Sequence, residues 1–348
     1  MNKDVLRADL RQRGRASMDF LVNLSRSLKD VSARVEKDLG AAVADPEALP
    51  EDLDERDAVI SDLTRGSAAL RAQSLVGDWH SRQHGVIATE AFEELGDGFT
   101  ADLRALDEGP TTLTIDPDFK APDYWEGVNF HRTEGGWSGH PYQGFIHGEI
   151  IHRKMLNALF PGGIFKQRRE IAAKAPRDHY DRILDMGCSS GHFTLALAEV
   201  YPNAEIYGVE LSLQMLEHLR RIGNAGGHAW KLYQRPAEAT GFDDNTFDLV
   251  GSYILLHEIP APIVRAVFKE AFRVLKPGGD MVMSDATRFA DLDKISEWRA
   301  DRSARYGGEP YWRETARLDL AEIARSVGFE DVKAEGKYPH YVIGRKPA

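Results

Sequence analysis

The sequence has almost no cysteine: Cys188 is the only one in 348 residues. A single thiol excludes a disulfide within the chain and a metal cluster held by several thiolates. An excess of positive charge is missing as well, because 55 Asp and Glu residues outnumber 44 Lys and Arg residues, for a formal net charge of −11. Proteins that bind nucleic acid usually carry a basic face, so we expect no nucleic-acid partner.

Long apolar runs are also absent. The first residues, MNKDVLRADLRQRG, contain no apolar stretch of the kind found in secretory signals. No run of apolar residues reaches the length of a membrane span. The hydrophobic content of 42% is still enough to build a core. We therefore expect a soluble, cytoplasmic protein with no membrane partner.

The amino-terminal region is predicted to be mainly helical. Residues 1–40 have the pattern of a helix with one apolar stripe, whose members recur at steps of three and four residues. The stripe consists of Leu21, Leu24, Leu28, Val31 and Val35. Its length of about two heptads is short for a coiled coil, which favours packing within the domain. A homodimer interface through these helices is the alternative.

An acidic connector with two prolines follows over residues 42–55. Helical patterns then continue over residues 55–75 and 79–95. The sequence GPTTLTIDPDF predicts a short strand between two turns. Together these patterns predict a mainly helical accessory region over residues 1–115.

The pattern changes after Arg177, where apolar strands begin to alternate with amphipathic helices. Strand patterns include DRILDMG, AEIYGVELS and NTFDLVGSYILL, and two further strands, FEDVKAEGK and HYVIGRK, close the chain. Strands and helices alternating at this spacing predict an α/β fold with a doubly wound, mostly parallel sheet and helices on both faces.

A glycine loop of the form D-x-G-x-x-x-G follows the first of these strands, from Asp185 to Gly191. Gly187 permits a tight turn and Gly191 a close approach to a ligand, since neither has a Cβ atom. The dinucleotide pattern G-x-G-x-x-G is absent, and Asp185 would repel a pyrophosphate but attract an ammonium group. Glu210, at the end of the second strand, can accept hydrogen bonds from two ribose hydroxyls. A nucleoside that carries an amino acid fits this pattern better than NAD, although Asp185 could simply cap the loop and Glu210 could be a solvated strand end.

With these motifs in order, the chain resembles the class I S-adenosylmethionine-dependent methyltransferases over about residues 180–346. The motifs are ILDMGCSSG, GVELS, AEATGFDDNTFDLV, LKPGG and the closing GFEDV…YVIGRK. The resemblance implies a seven-stranded sheet with a reversed last hairpin, and S-adenosyl-L-methionine (AdoMet) as the cofactor. We assign this cofactor-binding catalytic domain to residues 166–348.

The resemblance also assigns cofactor contacts by position. Asp185 and Gly187 would contact the methionine end of AdoMet, Glu210 its ribose hydroxyls, and Leu211 its adenine. Many relatives have an aspartate where this chain has Pro236, so recognition of the adenine edge would pass to Glu238 or to backbone groups. The full set of assigned residues is Asp185, Gly187, Cys188, Ser189, Gly191, Glu210, Leu211, Ala237 and Glu238. We interpret Cys188 as a small loop residue, because no base stands beside it in the sequence to activate a nucleophile.

The segment SYILLHEIP supplies the main catalytic candidate. The resemblance puts His257 on the acceptor side, as a general base or as a group that orients the acceptor. The alternative is a histidine bonded to nearby backbone at a helix start. Glu258 is a second candidate, and Asp285, after the fifth strand, lies on the same rim with helix capping as its alternative. The residues GSYI at 251–254 differ from the N/D-P-P-Y/F motif, so exocyclic amines of nucleic acid bases are not expected as substrates.

The stretch FHRTEGGWSGHPYQGFIHGEIIHRK, residues 130–154, raises the question of a metal site. It contains the four histidines His131, His140, His147 and His152. Their spacings of 9, 7 and 5 residues match neither H-E-x-x-H nor a zinc finger. Glu149-x-x-His152 matches half of the di-iron pattern of helical bundles, but no second copy exists. We therefore expect no metal site and a metal-independent protein.

The same stretch has the composition of a lid. Its part GGWSGHPYQG is too rich in glycine for a regular element, and an apolar helical stripe follows over residues 145–159. Aromatic faces next to a cofactor domain can hold a cationic sulfonium or ammonium group, while packing in the core is the alternative. We expect residues 116–165 to form the lid and the substrate segment. Its candidate substrate contacts are Tyr124, Phe130, Trp137, His140, Tyr142 and His147.

These expectations favour a methyltransferase that acts on a small molecule of biosynthetic or secondary metabolism. One alternative keeps the cofactor but attacks another sulfonium carbon, by aminocarboxypropyl transfer or ring closure, and releases methylthioadenosine. Another is a non-catalytic AdoMet-binding protein whose amino-terminal helices contact a partner. A nicotinamide oxidoreductase is disfavoured because the dinucleotide spacing is absent.

Overall fold

The computed structural model describes residues 6–7, 9–160 and 162–348. The start of the helix predicted over residues 1–40 lies partly outside the described residues, and the first α-helix begins at Gln12. Within the described ranges, no helix combines the length and the apolar character needed to cross a bilayer.

The α-helices are α1 (Gln12–Ala42), α2 (Leu53–Leu63), α3 (Ala68–Glu93), α4 (Asp97–Arg104), α5 (Gln143–Phe145), α6 (Asn157–Leu159), α7 (Ile164–Ala172), α8 (His192–Val200), α9 (Leu213–Gly226), α10 (Ala261–Val274), α11 (Lys294–Gly307), α12 (Trp312–Thr315) and α13 (Leu320–Val327). A π-helix, Ile146–Leu156, joins α5 to α6. The strands are β1 (Thr112–Thr114), β2 (Arg182–Met186), β3 (Glu205–Glu210), β4 (Lys231–Gln234), β5 (Phe247–Tyr253), β6 (Leu275–Asp285), β7 (Glu330–Glu335) and β8 (His340–Arg345).

The strands form one sheet in the order β1-β4-β3-β2-β5-β6-β8-β7. All neighbouring pairs are parallel except those of β8, which runs antiparallel to both β6 and β7. The predicted doubly wound sheet with a reversed last hairpin is therefore confirmed. The accessory region adds an eighth strand, because β1 pairs with β4 in a register that places Thr112 opposite Lys231.

The centre of the sheet is buried on both faces, which explains why its strands have nearly continuous apolar sequences. Leu184 of β2, Val250 of β5 and Met281 of β6 are all 0% exposed. After β2, the chain forms β3 and β4 on one side of that strand and then forms β5 on its other side. Open α/β sheets bind ligands at such a reversal, beyond the carboxyl ends of the strands.

The amino-terminal helices pack on the segment that precedes the sheet. Helices α1 and α3 lie against each other, and both contact the π-helix Ile146–Leu156. Leu21 and Val35 of the predicted apolar stripe are 0% and 3% exposed, and Leu21 shares a cluster with Phe145. The stripe is therefore covered within the chain, as its short length favours.

Candidate active site

A cavity of about 240 Å³ lies at the carboxyl ends of the central strands. Loops after β2, β3, β4 and β5 form its floor, and the segment between β1 and α7 forms its cover. The floor residues include Gly187, Cys188, Ser189, Gly191, Glu210, Leu211, Ala237, Glu238, His257 and Glu258. The cover residues include Tyr124, Trp125, His131, Trp137, His147 and His152.

The glycine loop needs its glycines for two separate reasons. Gly187 and Gly191 have φ angles of +70° and +91°, a region that residues with a Cβ rarely adopt. A Cβ atom on Gly191 would lie 2.1 Å from Cδ1 of Leu219, because α9 packs directly against the loop. The loop then leads into α8, so free backbone N–H groups at the start of that helix lie beside the cavity.

Glu210 holds a fixed carboxylate at the end of β3. It accepts hydrogen bonds from the backbone N–H groups of Ser189, Leu211 and Ser212 at 3.0, 2.9 and 3.0 Å. Burial raises the pKa of Glu210 to about 7, and these three donors oppose that rise. The carboxylate thus ties the glycine loop to the strand end and points at the cavity floor.

Asp185 lies behind the cavity floor, and Cys188 is part of that floor. The Asp185 side chain is buried and accepts a hydrogen bond from the Thr194 hydroxyl at 2.6 Å, while burial raises its pKa to about 7. Its contact with a methionine amino group stays a prediction. Cys188 packs so closely on β3 that a Cβ on Gly208 would lie 2.9 Å from its sulfur. Burial raises the pKa of the thiol, as suits a packed loop residue.

The far side of the floor is apolar and joined to the cover. Leu211 and Ala237 offer side chains suited to a flat aromatic group. Glu238 accepts a hydrogen bond from the Tyr124 hydroxyl at 2.7 Å. Burial and the Glu238 carboxylate raise the pKa of Tyr124, so this hydroxyl keeps its proton. A residue predicted for the cofactor and a residue predicted for the substrate therefore contact each other.

His257 is held by Asp285. Its Nδ1 donates to Oδ1 of Asp285 at 2.8 Å, and the same carboxylate accepts hydrogen bonds from the N–H groups of Leu256 and Ala286. Burial lowers the pKa of His257, but Asp285 and then Glu309 and Glu258 raise it to about 9. The ring is therefore protonated at neutral pH, and its Nε2 is free to face the cavity. The His257 ring bonds to a side chain and not to nearby backbone, whereas Asp285 accepts from backbone N–H groups as well as holding the ring.

A second histidine lies between two glutamates on the same wall. His131 contacts Glu258 Oε1 through Nε2 at 3.2 Å and Glu309 Oε1 through Nδ1 at 2.6 Å. Burial lowers the pKa of His131, but Glu309 and Glu258 raise it well above its usual value. Trp137 donates from Nε1 to Oε2 of Glu258 at 3.0 Å. Neither His131 nor Glu309 was predicted as a site residue.

The remaining lid candidates divide into two groups. The rings of Trp137 and His147 lie 4.5 Å apart on the cavity wall, and Phe130 stacks behind Trp137 as buried support. His140 and Tyr142 lie outside the cavity, because their rings pack on Phe92 of α3. We therefore remove His140 and Tyr142 from the proposed substrate pocket.

Comparison with known proteins agrees with the motifs. The sequence model of the "Methyltransferase domain" family matches residues 183–279. A demethylmenaquinone methyltransferase from Geobacillus sp. is 35% identical over 185 residues, which cover 44% of this chain and 73% of that protein. The chain belongs to the class I S-adenosylmethionine-dependent methyltransferase family.

Other members of the methyltransferase family are matched over shorter or more distant stretches. An uncharacterized methyltransferase from Schizosaccharomyces pombe is 35% identical over 118 residues, 30% of this chain and 40% of that protein. The chain thus spans less than half the length of this relative. A solved structure of phosphoethanolamine N-methyltransferase 2 from Haemonchus contortus, in complex with S-adenosyl-L-methionine, covers 66% of this chain and 61% of its own, with a TM-score of 0.49 and 18% identity.

The residues of the cavity floor fit the cofactor of this methyltransferase family. Gly187 and Gly191 leave space where side chains would fill it. Glu210 keeps a carboxylate in place for hydroxyl donors, and Leu211 with Ala237 provides apolar contact. Among the assigned residues, only Asp185 lies behind the floor and not on it.

Proposed function

We propose that this protein transfers a methyl group from AdoMet to a small-molecule metabolite. The observation that carries the proposal is one continuous cavity, in which the cofactor residues Gly187 and Glu210 share walls with His257. Family membership supports AdoMet as the donor. The curated relatives include a demethylmenaquinone methyltransferase and a malonyl-[acyl-carrier protein] O-methyltransferase, so varied acceptors occur among related proteins.

The cofactor side of the proposal uses the floor. Glu210 would accept hydrogen bonds from the ribose hydroxyls, Leu211 and Ala237 would enclose the adenine, and the glycine loop would hold the methionine end. When bound, AdoMet supplies a methyl group that its sulfonium already activates, so that activation itself needs no metal ion. The protein's own task is to align the acceptor with the methyl–sulfur bond and to exclude water.

On the acceptor side, His257 orients the acceptor through its Nε2–H, because a ring with a pKa of about 9 keeps its proton at neutral pH and does not act as the base. Asp285 is a positioning residue, because it holds the imidazole through Nδ1 and leaves Nε2 toward the cavity. Trp137 and His147 form an aromatic wall, and Tyr124 closes the side near the adenine. Aromatic faces stabilise a cationic sulfonium beside them.

The size of the cavity and the net charge of the protein support a small acceptor. A cavity of about 240 Å³ beneath a packed cover suits a metabolite more than a polymer. The net charge of −11 gives no attraction to nucleic acid. We place the reaction in the cytoplasm, since a diffusible metabolite and AdoMet are both found there.

Homodimerisation through the amino-terminal helices remains part of the proposal. Phe20 of α1 and Trp79 of α3 form an edge-to-face pair that is 52% and 39% exposed, and Leu75 nearby in sequence is 72% exposed. Light scattering on the wild-type protein and on Phe20→Ser would test it. A dimer that Phe20→Ser dissociates supports the interface, and a monomeric wild type removes it.

The reaction is tested with purified protein, AdoMet with a labelled methyl group, and a metabolite extract. Mass spectrometry should show S-adenosylhomocysteine together with a labelled metabolite that has gained one methyl group. Methylthioadenosine in place of S-adenosylhomocysteine would indicate attack at another sulfonium carbon. AdoMet that binds but is never consumed would indicate a non-catalytic protein.

A further inference from the structure

Three side chains of types that often bind metals meet on the wall of the cavity that carries His257, here called the acceptor wall. His131 comes from the cover, Glu258 from the turn after β5, and Glu309 from the chain just after α11. One ligand atom from each lies within 4.8 Å of the others. The two carboxylates contact different nitrogens of His131, Glu309 at Nδ1 (2.6 Å) and Glu258 at Nε2 (3.2 Å), so a bound ion would take one nitrogen and replace one of these hydrogen bonds.

The second oxygen of Glu309 gives an independent reason to expect a cation. The Glu309 side chain is only 5% exposed and lines the cavity. Among the described residues, none supplies a hydrogen bond to its Oε2. Nε2 of His257 lies 3.8 Å from this oxygen, beyond hydrogen-bond distance. A buried carboxylate oxygen without a donor is costly unless a cation or another partner contacts it.

The backbone holds this cluster in a strained arrangement. His131 has a φ angle of +50°, and its N–H donates to the carbonyl of Gly308 at 3.1 Å. Gly308 must be glycine here, because a Cβ would lie 2.7 Å from the backbone nitrogen of Arg132. The contact at Gly308 sets the position of Glu309 next to it. The hydrogen bond between His131 and Gly308 thus brings the His131 imidazole and the Glu309 carboxylate together.

We propose that His131, Glu258 and Glu309 bind a divalent first-row transition-metal ion, which displaces the proton from the His131 nitrogen that it contacts. Mixed imidazole and carboxylate ligands suit such ions, whereas Mg²⁺ and Ca²⁺ prefer sites made of oxygen atoms alone. The ligands lie on one wall, so the cavity side of the ion remains open to another ligand, as in catalytic sites.

The site replaces our expectation of a metal-independent protein. That expectation rested on the spacing of histidines within residues 130–154, and the cluster takes only His131 from that stretch. If the proposed methyl transfer holds, the open position would bind and polarise the acceptor oxygen, nitrogen or sulfur next to His257.

The test measures metal binding directly, without turnover. Full-length protein, first treated with a chelator, is titrated with CoCl₂ and followed by the visible absorption of Co²⁺ and by calorimetry. We expect saturable binding with the spectrum of a site that contains nitrogen ligands. Glu309→Gln should weaken Co²⁺ binding by at least about tenfold, because it removes one ligand charge with little change in shape.

Two further variants keep the result interpretable. His131→Asn removes the imidazole, and asparagine tolerates the positive φ angle better than most residues, so this variant serves if Glu309→Gln fails to fold. Glu126→Gln makes the same charge change at an exposed position of the cover and should bind Co²⁺ like the wild type. Wild-type protein that binds no Co²⁺, or equal binding by all variants, overturns the site. AdoMet binding by the same samples tests the methyltransferase proposal separately.

Discussion

Asp285 and His257 form a buried pair in which the carboxylate fixes one imidazole nitrogen and leaves the other toward the cavity. The two atoms that bond, Oδ1 and Nδ1, lie 2.8 Å apart, and both side chains are 6% exposed. The carboxylate is itself fixed by the backbone N–H groups of Leu256 and Ala286. The direction of the ring therefore follows from the ends of β5 and β6, not from the loop alone.

Replacing His257 should separate binding from turnover. His257→Ala is expected to lose about 10²-fold in kcat, since the group that orients the acceptor is gone. AdoMet affinity, measured by calorimetry, should stay close to that of the wild type, because the cofactor contacts lie on other strand ends. Unchanged turnover in His257→Ala would remove its assigned role.

Asp285→Asn tests the positioning role. The amide keeps the size of the side chain but can present its NH₂ group to His257, so the ring loses its orientation and charge partner. We expect kcat to fall while the AdoMet Kd and the KM for the acceptor change little. Thermal unfolding of the same sample is the control. A loss of stability with kcat intact would show that Asp285 acts only as a cap for nearby backbone.

Cofactor binding should weaken in acid. Burial raises the pKa of Glu210 to about 7, so the carboxyl takes up a proton as the pH falls below that value. Only the ionised carboxylate accepts fully from two hydroxyls, and AdoMet affinity should fall by up to about tenfold per pH unit below pH 7. Calorimetry from about pH 6 to about pH 8, roughly one unit on either side of this pKa, measures the change in AdoMet affinity.

Glu210→Gln is the control for that dependence. The variant should bind AdoMet weakly and with a flatter pH profile. A slope that persists would be assigned to Asp185, whose pKa burial also raises to about 7. An affinity for AdoMet like that of the wild type at every pH would contradict the role of Glu210.

Trp137 and His140 offer a matched pair within the cover. Trp137→Phe keeps an aromatic ring but removes the hydrogen bond to Glu258, so KM for the acceptor should rise by about tenfold. His140→Ala changes a ring that packs on Phe92 outside the cavity and should leave KM unchanged. Equal effects of both variants would mean that the cover acts through general packing.

Gly191→Ala should destabilise the fold and impair cofactor binding together. The φ angle of +91° and the contact that a Cβ would make with Leu219 leave no room for a side chain. We expect a loss of about 1–3 kcal/mol in the free energy of unfolding, measured with denaturant, together with weaker AdoMet binding. Gly40→Ala, where a Cβ would meet nothing within 4 Å, is the matched control.

The sheet and the cofactor floor were predictable because both depend on local sequence. Apolar strands, the glycine loop and Glu210 all follow from residues that are close together in the chain. The contact between His131 and Glu309 was not predictable, since it depends on the hydrogen bond from the His131 N–H to the carbonyl of Gly308. The side-chain orientations in the glycine-rich segment GGWSGHPYQG were not predictable either, because the segment has no regular periodicity. Nothing in its sequence indicates that Trp137 faces the cavity and Tyr142 faces Phe92.

The pairing of β1 with β4 has a consequence for the edge of the sheet. Residues 112–114 occupy the edge of the sheet that would otherwise present the unpaired backbone of β4. An unpaired edge is a template for strands of neighbouring molecules. A chain shortened to residues 166–348 would lose that protection together with the cover of the cavity, and would tend to aggregate. The residues before 166 therefore cover both this edge of the sheet and the cavity.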